Sequence, residues 1–590
     1  MTPEDYGLIL SASGWRGVFA STDEDSSPDL HASMIFPALA MGWAAAEYFQ
    51  SMGAANPAPV LIGTDARPTG RELARIISAC FAAQEVAKVY IGVAAAPEIM
   101  AAARESAQYR GFCYLSASHN PVGHNGLKMG KNDGGVLSAA EISPLIERIR
   151  ELLADPKERA ALDSATRSQL ESAYQLSVDR QAKDRALAAY QAFTDETLYE
   201  GESEYRGLLR RSLDAAPLGV VGELNGSARG ASIDKQFFDS VGIAARFFNS
   251  QPGEIAHAIL PEGESLTPCR KLLEEAYREN PAFQLGYLPD NDGDRGNLVY
   301  IDSADGSGHI LAAQEVFAIS VLAELSFARF CISPRPKKQA VAVNGPTSLR
   351  IDALCRLLGV EVHRAEVGEA NVVNLARKLR SAGYRVRILG EGSNGGTITH
   401  PAAVRDPLNT VGAFAKLLRY RSAKGLNPAE EWLRLSTGEQ IEGPIDLPRI
   451  LKSLPPYRTT PTGESRAKYP VKTRDHNLLK QRYESLFPSF WEERPAMLTH
   501  MGLNSYRFVN YEGTATIPGP GGRSAAGRGG FKVELLDSEG LAQAFLWMRG
   551  SGTEPVFRVM ADIPGTSVRA EEELLDWHRR ILDAADKEVI

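Results

Sequence analysis

The stretch Ser116-Ala117-Ser118-His119-Asn120-Pro121, followed by Gly123, Asn125-Gly126 and Lys128, sets a hydroxyl, an imidazole and an amine close together. The apolar run Phe112 to Leu115 would deliver Ser118 to a strand end, where neighbouring glycines let the backbone approach a ligand. A nucleophilic or phosphate-carrying hydroxyl belongs in such a place. Lys128 can fold back beyond the Gly-bearing turn and exchange a proton with a hydroxyl of a ligand, provided its surroundings lower its pKa. A turn with a capping serine is the other reading of these residues alone.

Three further stretches carry chemistry. In Pro289-Asp290-Asn291-Asp292-Gly293-Asp294-Arg295, carboxylates at alternate positions project to one side of an extended segment and offer hard oxygen ligands suited to magnesium. Unpaired, each pair at ~4 Å and an effective dielectric near ~20 costs about 4 kcal/mol, which a divalent cation removes. A solvated acidic turn is the alternative, and a calcium loop is disfavoured because Ile301 stands where its twelfth-position glutamate would be. Gly390-Glu391-Gly392-Ser393-Asn394-Gly395-Gly396 presents Glu391 and Ser393 to vicinal sugar hydroxyls, or is an ordinary strand-end turn. Arg549-Gly550-Ser551-Gly552-Thr553-Glu554-Pro555, with Arg558 beyond, combines turn N–H groups, a guanidinium and two hydroxyls for a phosphate; an exposed turn with a surface ion pair competes with that reading.

Such side chains need scaffolds. The runs Pro59 to Asp65, Leu218 to Gly222 and Gln339 to Gly345 each lead an apolar strand into a Gly-containing loop and a helical pattern, as buried parallel strands of repeated α/β domains do. Charged, Ala-rich sequence between about 145 and 200 predicts helices closing a first domain. Prolines 455, 456, 461 and 470 read as a linker into a last domain, and Gly519 to Gly530 as a flexible loop or hairpin tip.

A chain of 590 residues exceeds one hydrophobic core and suggests roughly four domains. With 44% hydrophobic and 23% charged residues and a net charge of -8, the composition is that of a soluble globular protein and points to neither nucleic acid nor anionic membrane. The N-terminus has no signal-peptide pattern and no apolar run reaches membrane-span length, so a cytoplasmic location is expected. Five scattered cysteines, never in CxxC spacing, indicate buried small hydrophobes rather than disulfides or zinc.

Taken in order, the four motifs resemble those of the alpha-D-phosphohexomutase family, whose members include phosphoglucomutase, phosphomannomutase and phosphoglucosamine mutase. Ser11-Ala12-Ser13-Gly14-Trp15-Arg16-Gly17 is similar to the family's N-terminal Ser-Gly-x-Arg-Gly element, and Asp65-Ala66-Arg67 to its first strand end. The resemblance implies four domains around a central cleft: three related mixed α/β domains, at 1–204, 205–306 and 307–453, and an α+β domain at 454–590. It implies that Ser118 carries phosphate and that Asp290, Asp292 and Asp294, with Ser118 itself, hold Mg2+. Lys128 would transfer the proton while Arg16, His119 and Arg295 line the transfer site. Glu391 and Ser393 would grip the sugar, and Arg549, Ser551, Gly552, Thr553 and Arg558 the other phosphate.

The implied activity is interconversion of hexose 1-phosphate and hexose 6-phosphate, of mannose and/or glucose, through a hexose 1,6-bisphosphate, with small-molecule hexose phosphates, and neither nucleic acid nor membrane, as partners. The sugar loop departs from the Gly-Glu-x-Ser-Gly-His form associated with dual glucose and mannose use, since Asn394-Gly395-Gly396 follows Ser393, and Val367-Gly368-Glu369 has an acid where many relatives place a base. Glucosamine phosphate is therefore the alternative substrate. A magnesium phosphatase with an aspartyl nucleophile and a non-catalytic sugar-phosphate-binding protein are the rival classes.

Overall fold

The computed structural model describes residues 2–11, 14–52, 58–105, 108–172, 176–438, 440–443, 445–525, 527, 529–550 and 556–587. Among the described residues, twenty-two strands make four sheets. The first contains β1 (Ile9–Ser11), β2 (Gly14–Val18), β3 (Val60–Thr64), β4 (Lys88–Val93), β5 (Gly111–Leu115) and β6 (His124–Lys131); the second β7 (Gly219–Glu223), β8 (Ala244–Phe248), β9 (Phe283–Pro289), β10 (Gly296–Ile301) and β11 (Gly308–Ile310). The third contains β12 (Ala340–Asn344), β13 (Glu361–Ala365), β14 (Ile388–Glu391) and β15 (Gly396–Thr399). The fourth is built of β16 (Tyr457–Thr459), β17 (Lys468–Pro470), β18 (Ser505–Glu512), β19 (Ala515–Pro518), β20 (Gly530–Leu536), β21 (Ala542–Gly550) and β22 (Val556–Pro564).

The first three sheets share one plan. Each has a central strand flanked on both sides by parallel partners, one of which continues into an antiparallel hairpin: β4-β3-β5-β6, β8-β7-β9-β10 and β13-β12-β14-β15. The central strands β3, β7 and β12 are the three repeated apolar runs, buried throughout as a parallel strand covered on both faces must be. In the first sheet one face packs on helices Ala32–Met52 and Gly70–Ala83, the other on Ala96–Glu105 and Arg180–Tyr199. The hairpin β1–β2 extends the antiparallel edge, with β2 pairing β6. The fourth sheet is wholly antiparallel; helices His476–Glu492 and Val568–Lys587 cover one face, while Phe545, Trp547 and Met560 on the other pack with Leu349. The class is therefore multi-domain α/β, with three related mixed sheets and a distinct final one.

By contacts the chain forms two compact units, Met1–Ile301 with Gly306–Ile310 and Pro401–Val411, and Asp302–Asp305 with Leu311–His400 and Gly412–Ile590. The first contains sheets one and two, the second sheets three and four. Two details differ from the expected boundaries. The second sheet runs past 306 to Ile310 because β11 pairs β10, and Pro401–Val411, expected in the third domain, packs in the first unit.

The proline-bearing stretch near 455–470 is more than a linker, since β16 and β17 both pair with β22, with Pro470 at a strand end where its missing N–H removes no ladder bond. The described part of the Gly-rich loop is tied down: Arg523 forms a two-pronged pair with Glu484, and Lys480 Nζ donates to the carbonyls of Gly527, at 2.6 Å, and Gly529. All five cysteines are free, four of them buried. Among the described residues no helix is long and apolar enough to cross a membrane.

Candidate active site

The first three sheets place their chemical motifs at one topological position, the turn joining β5, β9 or β14 to its antiparallel partner. Ser118 lies between β5 and β6, the aspartates between β9 and β10, and Glu391 to Ser393 at the junction of β14 and β15. Ser118 is buried and holds a left-handed backbone, φ +54°, unusual for a residue with a side chain. Two ties fix it: its N–H donates to Ser116 Oγ at 2.8 Å, and Arg67 Nη2 donates to its carbonyl at 2.9 Å and to that of Asn120. Arg67 is itself gripped by Asp65, which explains why an Asp-x-Arg sequence ends β3. The nearby glycines serve the fold rather than a ligand, correcting the expectation from sequence. A Cβ on Gly123 would meet Thr22 O at 1.9 Å, and one on Gly126 would meet Trp15 O at 2.1 Å.

Ser118 Oγ donates to Asp290 Oδ2 at 2.7 Å, and Ser116 Oγ to Asp292 Oδ2 at 3.2 Å, so the serine loop and the acidic loop meet within the first unit. The acidic loop is a tight turn, not the extended segment expected: Gly293 adopts φ +71° and its N–H donates to Asp290 O at 3.1 Å. Curling, rather than alternation along a strand, brings Asp290, Asp292 and Asp294 together, with one oxygen of each within 4.8 Å of the others. Backbone bonds from Ala228 N to Asn291 O (2.9 Å) and Ala96 N to Asp292 O (2.8 Å) hold the turn. All three carboxylates are buried, and Asp292 Oδ1 has no hydrogen-bond partner. Burial and its neighbours Asp292 and Asp294 push Asp290 well above the usual carboxylate range. Three desolvated hard-oxygen donors with an orphaned lone-pair acceptor fit a magnesium-like cation.

Cations surround the triad. Lys128 Nζ donates to Asp292 Oδ2 at 2.8 Å. Burial works to lower the Lys128 pKa, but Asp292 and Asp294 outweigh it and the net shift is upward, opposite to the condition set for it from sequence. Burial, reinforced by Arg295 and Arg16, pulls His119 down to about 3, so its imidazole is neutral; its Nδ1 lies 3.5 Å from Ser118 Oγ. Arg16, on β2 opposite Gly126, is lowered chiefly by burial and feels Asp292, Arg295 and Asp294. Arg295 donates its N–H to Asp290 Oδ1 at 3.1 Å and its side chain faces Glu262 at 3.5 Å. Sequence reading missed Arg405, whose Nη2 donates to both oxygens of Asp294 at 3.0 and 2.9 Å. No local motif flags it, since it lies 111 residues along the chain from its partner.

In the second unit, Glu391 Oε1 accepts from Asn344 Nδ2 at 3.1 Å and Gly368 N at 2.7 Å. Asn344 also donates to Ser393 Oγ at 3.0 Å, and Thr347 Oγ1 donates to Asn344 at 2.6 Å. Asn394, standing where a Gly-His pair was looked for, donates to Glu391 Oε2 at 3.3 Å. Glu391 and Ser393 are thus held in a preorganised buried cluster whose organiser, Asn344, ends β12 and was not singled out from sequence. Arg549 and Arg558 are cross-strand partners on β21 and β22; Arg558 Nη1 donates to Thr462 O at 3.1 Å, while Arg549 Nε is buried without a partner. Ser551, Gly552 and Thr553 lie outside the described residues.

Residues 9–154 match the family model for phosphoglucomutase/phosphomannomutase alpha/beta/alpha domain I, and residues 321–434 that for domain III. A phosphoglucosamine mutase of Psychromonas ingrahamii is 26% identical over 362 residues, 59% of this chain and 68% of that protein. A phosphoglucomutase/phosphomannomutase family protein of Burkholderia thailandensis superposes with a TM-score of 0.61 at 19% identity, covering 99% of this chain and 98% of the other. Open-form parafusin, a phosphoglucomutase of Paramecium, gives 0.63 at 14% identity, covering 98% and 95%. Matched over residues 9–154 and 321–434 by the family's models for domains I and III, and sharing its fold along almost its whole length with those solved structures, the chain carries two domains of the phosphoglucomutase/phosphomannomutase, or alpha-D-phosphohexomutase, family.

Proposed function

We propose that the protein interconverts hexose 1-phosphate and hexose 6-phosphate, of glucose and/or mannose, by way of a phosphoryl group carried on Ser118 and a hexose 1,6-bisphosphate intermediate. The observation that carries this reading is the 2.7 Å contact between a strained, buried serine hydroxyl and the first of three clustered aspartates. Asp290, Asp292, Asp294 and the oxygen borne by Ser118 would hold Mg2+, which supplies neutralisation of the charge that develops on the transferring group.

In the forward step a sugar hydroxyl oxygen bonds to phosphorus, the bond from phosphorus to Ser118 Oγ breaks, and the hydroxyl proton passes to the protein; the reverse step rephosphorylates Ser118 from the other end of the bisphosphate. Lys128 is the group we assign to that proton: it would return it as ammonium, and accept it as amine once a cation held by the aspartates offsets the carboxylates that keep its pKa up. Arg16, Arg295 and neutral His119 orient the phosphoryl oxygens with fixed donors that need no reorganisation during transfer. Glu391 and Ser393 receive the sugar hydroxyls. Arg549, Ser551, Gly552, Thr553 and Arg558 receive the phosphate that is not transferred.

Replacement Ser118→Ala is expected to lower mutase turnover by at least about a thousandfold while calorimetry still detects sugar-phosphate binding. Phosphate label recovered on an aspartate, or full turnover in that variant, would remove Ser118 from the reaction. A second reading, with a 2-amino sugar phosphate as substrate, is favoured by the phosphoglucosamine mutases among the similar curated proteins. Comparing kcat/KM for glucose 1-phosphate, mannose 1-phosphate and glucosamine 1-phosphate, with a trace of sugar bisphosphate present, decides between them.

A further inference from the structure

Beneath the acidic turn lies a buried polar cluster that the proposed reaction does not use. Tyr190, Arg229, Asp234, Tyr287 and Asp406 are each no more than 3% exposed. Tyr190 Oη donates to Asp406 Oδ2 at 2.7 Å and accepts from Arg229 Nη1 at 2.7 Å. Arg229 Nη1 also stands 3.5 Å from Asp406 Oδ1, and its Nε pairs with Asp234 Oδ2 at 2.9 Å; Tyr287 donates to Asp234 Oδ1. Three chain segments that are distant in sequence are joined here: helix Arg180–Tyr199, the turn around Arg229 with the helix that begins at Asp234, and the segment Pro401–Val411. A fourth is β9, which carries Tyr287 and delivers Asp290.

A buried ion cluster is poor evidence for stability, because desolvation offsets most of its Coulombic gain. Its value lies in fixing positions, and its position here is informative. Asp406 is fully engaged, by Tyr190 at one oxygen and by Leu408 N at 2.9 Å at the other. The residue before it, Arg405, closes on both oxygens of Asp294. With both carboxylate oxygens of Asp406 held, the chain beside it places Arg405 where its Nη2 reaches both oxygens of Asp294. Arg229 touches the same turn directly, because a Cβ on Gly293 would come within 2.4 Å of its Cδ.

We infer that Tyr190 is a positioning residue for the metal site: through Asp406 it locks Arg405 onto Asp294, and so holds that carboxylate in register with Asp290 and Asp292. The inference rests on the proposed cation-binding role of the triad and extends it outward by two shells of contacts. Partners of metal-binding carboxylates typically alter metal affinity by about tenfold or more when removed. Tyr190→Phe removes the one hydroxyl that spans Asp406 and Arg229, without changing any charge or side-chain shape.

The test is titration of the full chain with Mn2+ alone, followed by calorimetry and by loss of the free-ion paramagnetic signal. Tyr190→Phe should weaken Mn2+ binding about tenfold with an unchanged circular dichroism spectrum, and Asp406→Asn should do the same. In an Arg405→Met background the Tyr190→Phe change should lose most of its effect, since contacts acting through one residue are not additive. Wild-type Mn2+ affinity in Tyr190→Phe, with only a lower Tm, would make Tyr190 a structural residue and overturn the inference. An equal loss in both backgrounds would also overturn it, by showing that the route does not run through Arg405. Failure of the wild-type chain to bind Mn2+, or binding indifferent to Asp290→Asn and Asp292→Asn, would instead overturn the reading of the triad itself.

Discussion

Arg67 shows how much of a reactive centre is built by residues that never touch substrate. Its guanidinium donates to the carbonyls of Ser118 and Asn120 while Asp65 holds it from behind, so a left-handed serine is fixed by a planar fork rather than by glycine. Lysine carries the charge but lacks the second arm: the guanidinium uses Nη2 for the two carbonyls and Nη1 for Asp65 at the same time. Arg67→Lys should therefore lower kcat by at least about tenfold and leave KM for sugar phosphate within about twofold, because it misplaces the carrier oxygen without altering the groups assigned to the sugar. Steady-state kinetics check this; a change confined to KM would contradict it. Asp65 and Arg67 could be read as a motif, but their task could not, because beyond Asp65 the oxygens that Arg67 contacts belong to backbone.

At the scale of elements, the repeated four-strand plan does the positioning. Wherever β5, β9 or β14 turns back as an antiparallel hairpin, side chains at the turn are carried on two hydrogen-bonded strands. The glycines after Ser118 are part of that geometry. Gly123 sits against the backbone at Thr22, leaving no room for a methyl group. Gly123→Ala should therefore force the 20–25 loop away from the serine turn and destabilise the first unit by roughly 2 kcal/mol or more, with activity lost in parallel. Thermal denaturation of the variant, compared with Gly207→Ala, where φ is likewise not positive and a Cβ would meet only Arg211 Nη1 at 3.5 Å, separates the steric cost from the general effect of replacing a glycine.

At the scale of the whole molecule, the second unit contains a charge in an unusual place. Lys532 on β20 is buried with no hydrogen-bond partner for Nζ, which lies 4.1 Å from the ring centroid of Phe545 and 5.6 Å from that of Tyr511. Burial first, then the Arg364 guanidinium, pull its pKa down to about 7. The unfolded chain binds that proton up to the ordinary lysine range and the folded chain does not, so stability of this unit rises with pH from about 7 toward 10.5 and the penalty is largest below that window. Lys532→Met should stabilise the chain at pH 7 by roughly 1 to 4 kcal/mol and flatten the rise between pH 7 and pH 9.5. Part of the slope will remain, because Lys480 is also pulled down to about 7. Urea denaturation of both proteins at the two pH values measures the difference, and an unchanged slope would place the Lys532 ammonium in contact with solvent.

Ser118, the three aspartates, Glu391, Ser393 and the three apolar runs could be identified from the amino-acid order alone, because strands and the turns that follow them are local and leave local signatures of hydrophobicity, glycine and charge. Three things could not. The acidic stretch is a curled turn with Gly293 at φ +71°, and Arg229 fills the space a side chain there would need. Lys128 is held with its pKa up because Asp292, on a different sheet, outweighs its burial. Arg405 reaches Asp294 only because Pro401–Val411 leaves the third repeat to pack with the first unit. In each case the deciding partner lies far along the chain, and electrostatics and packing depend on distance in space, which residue order does not specify.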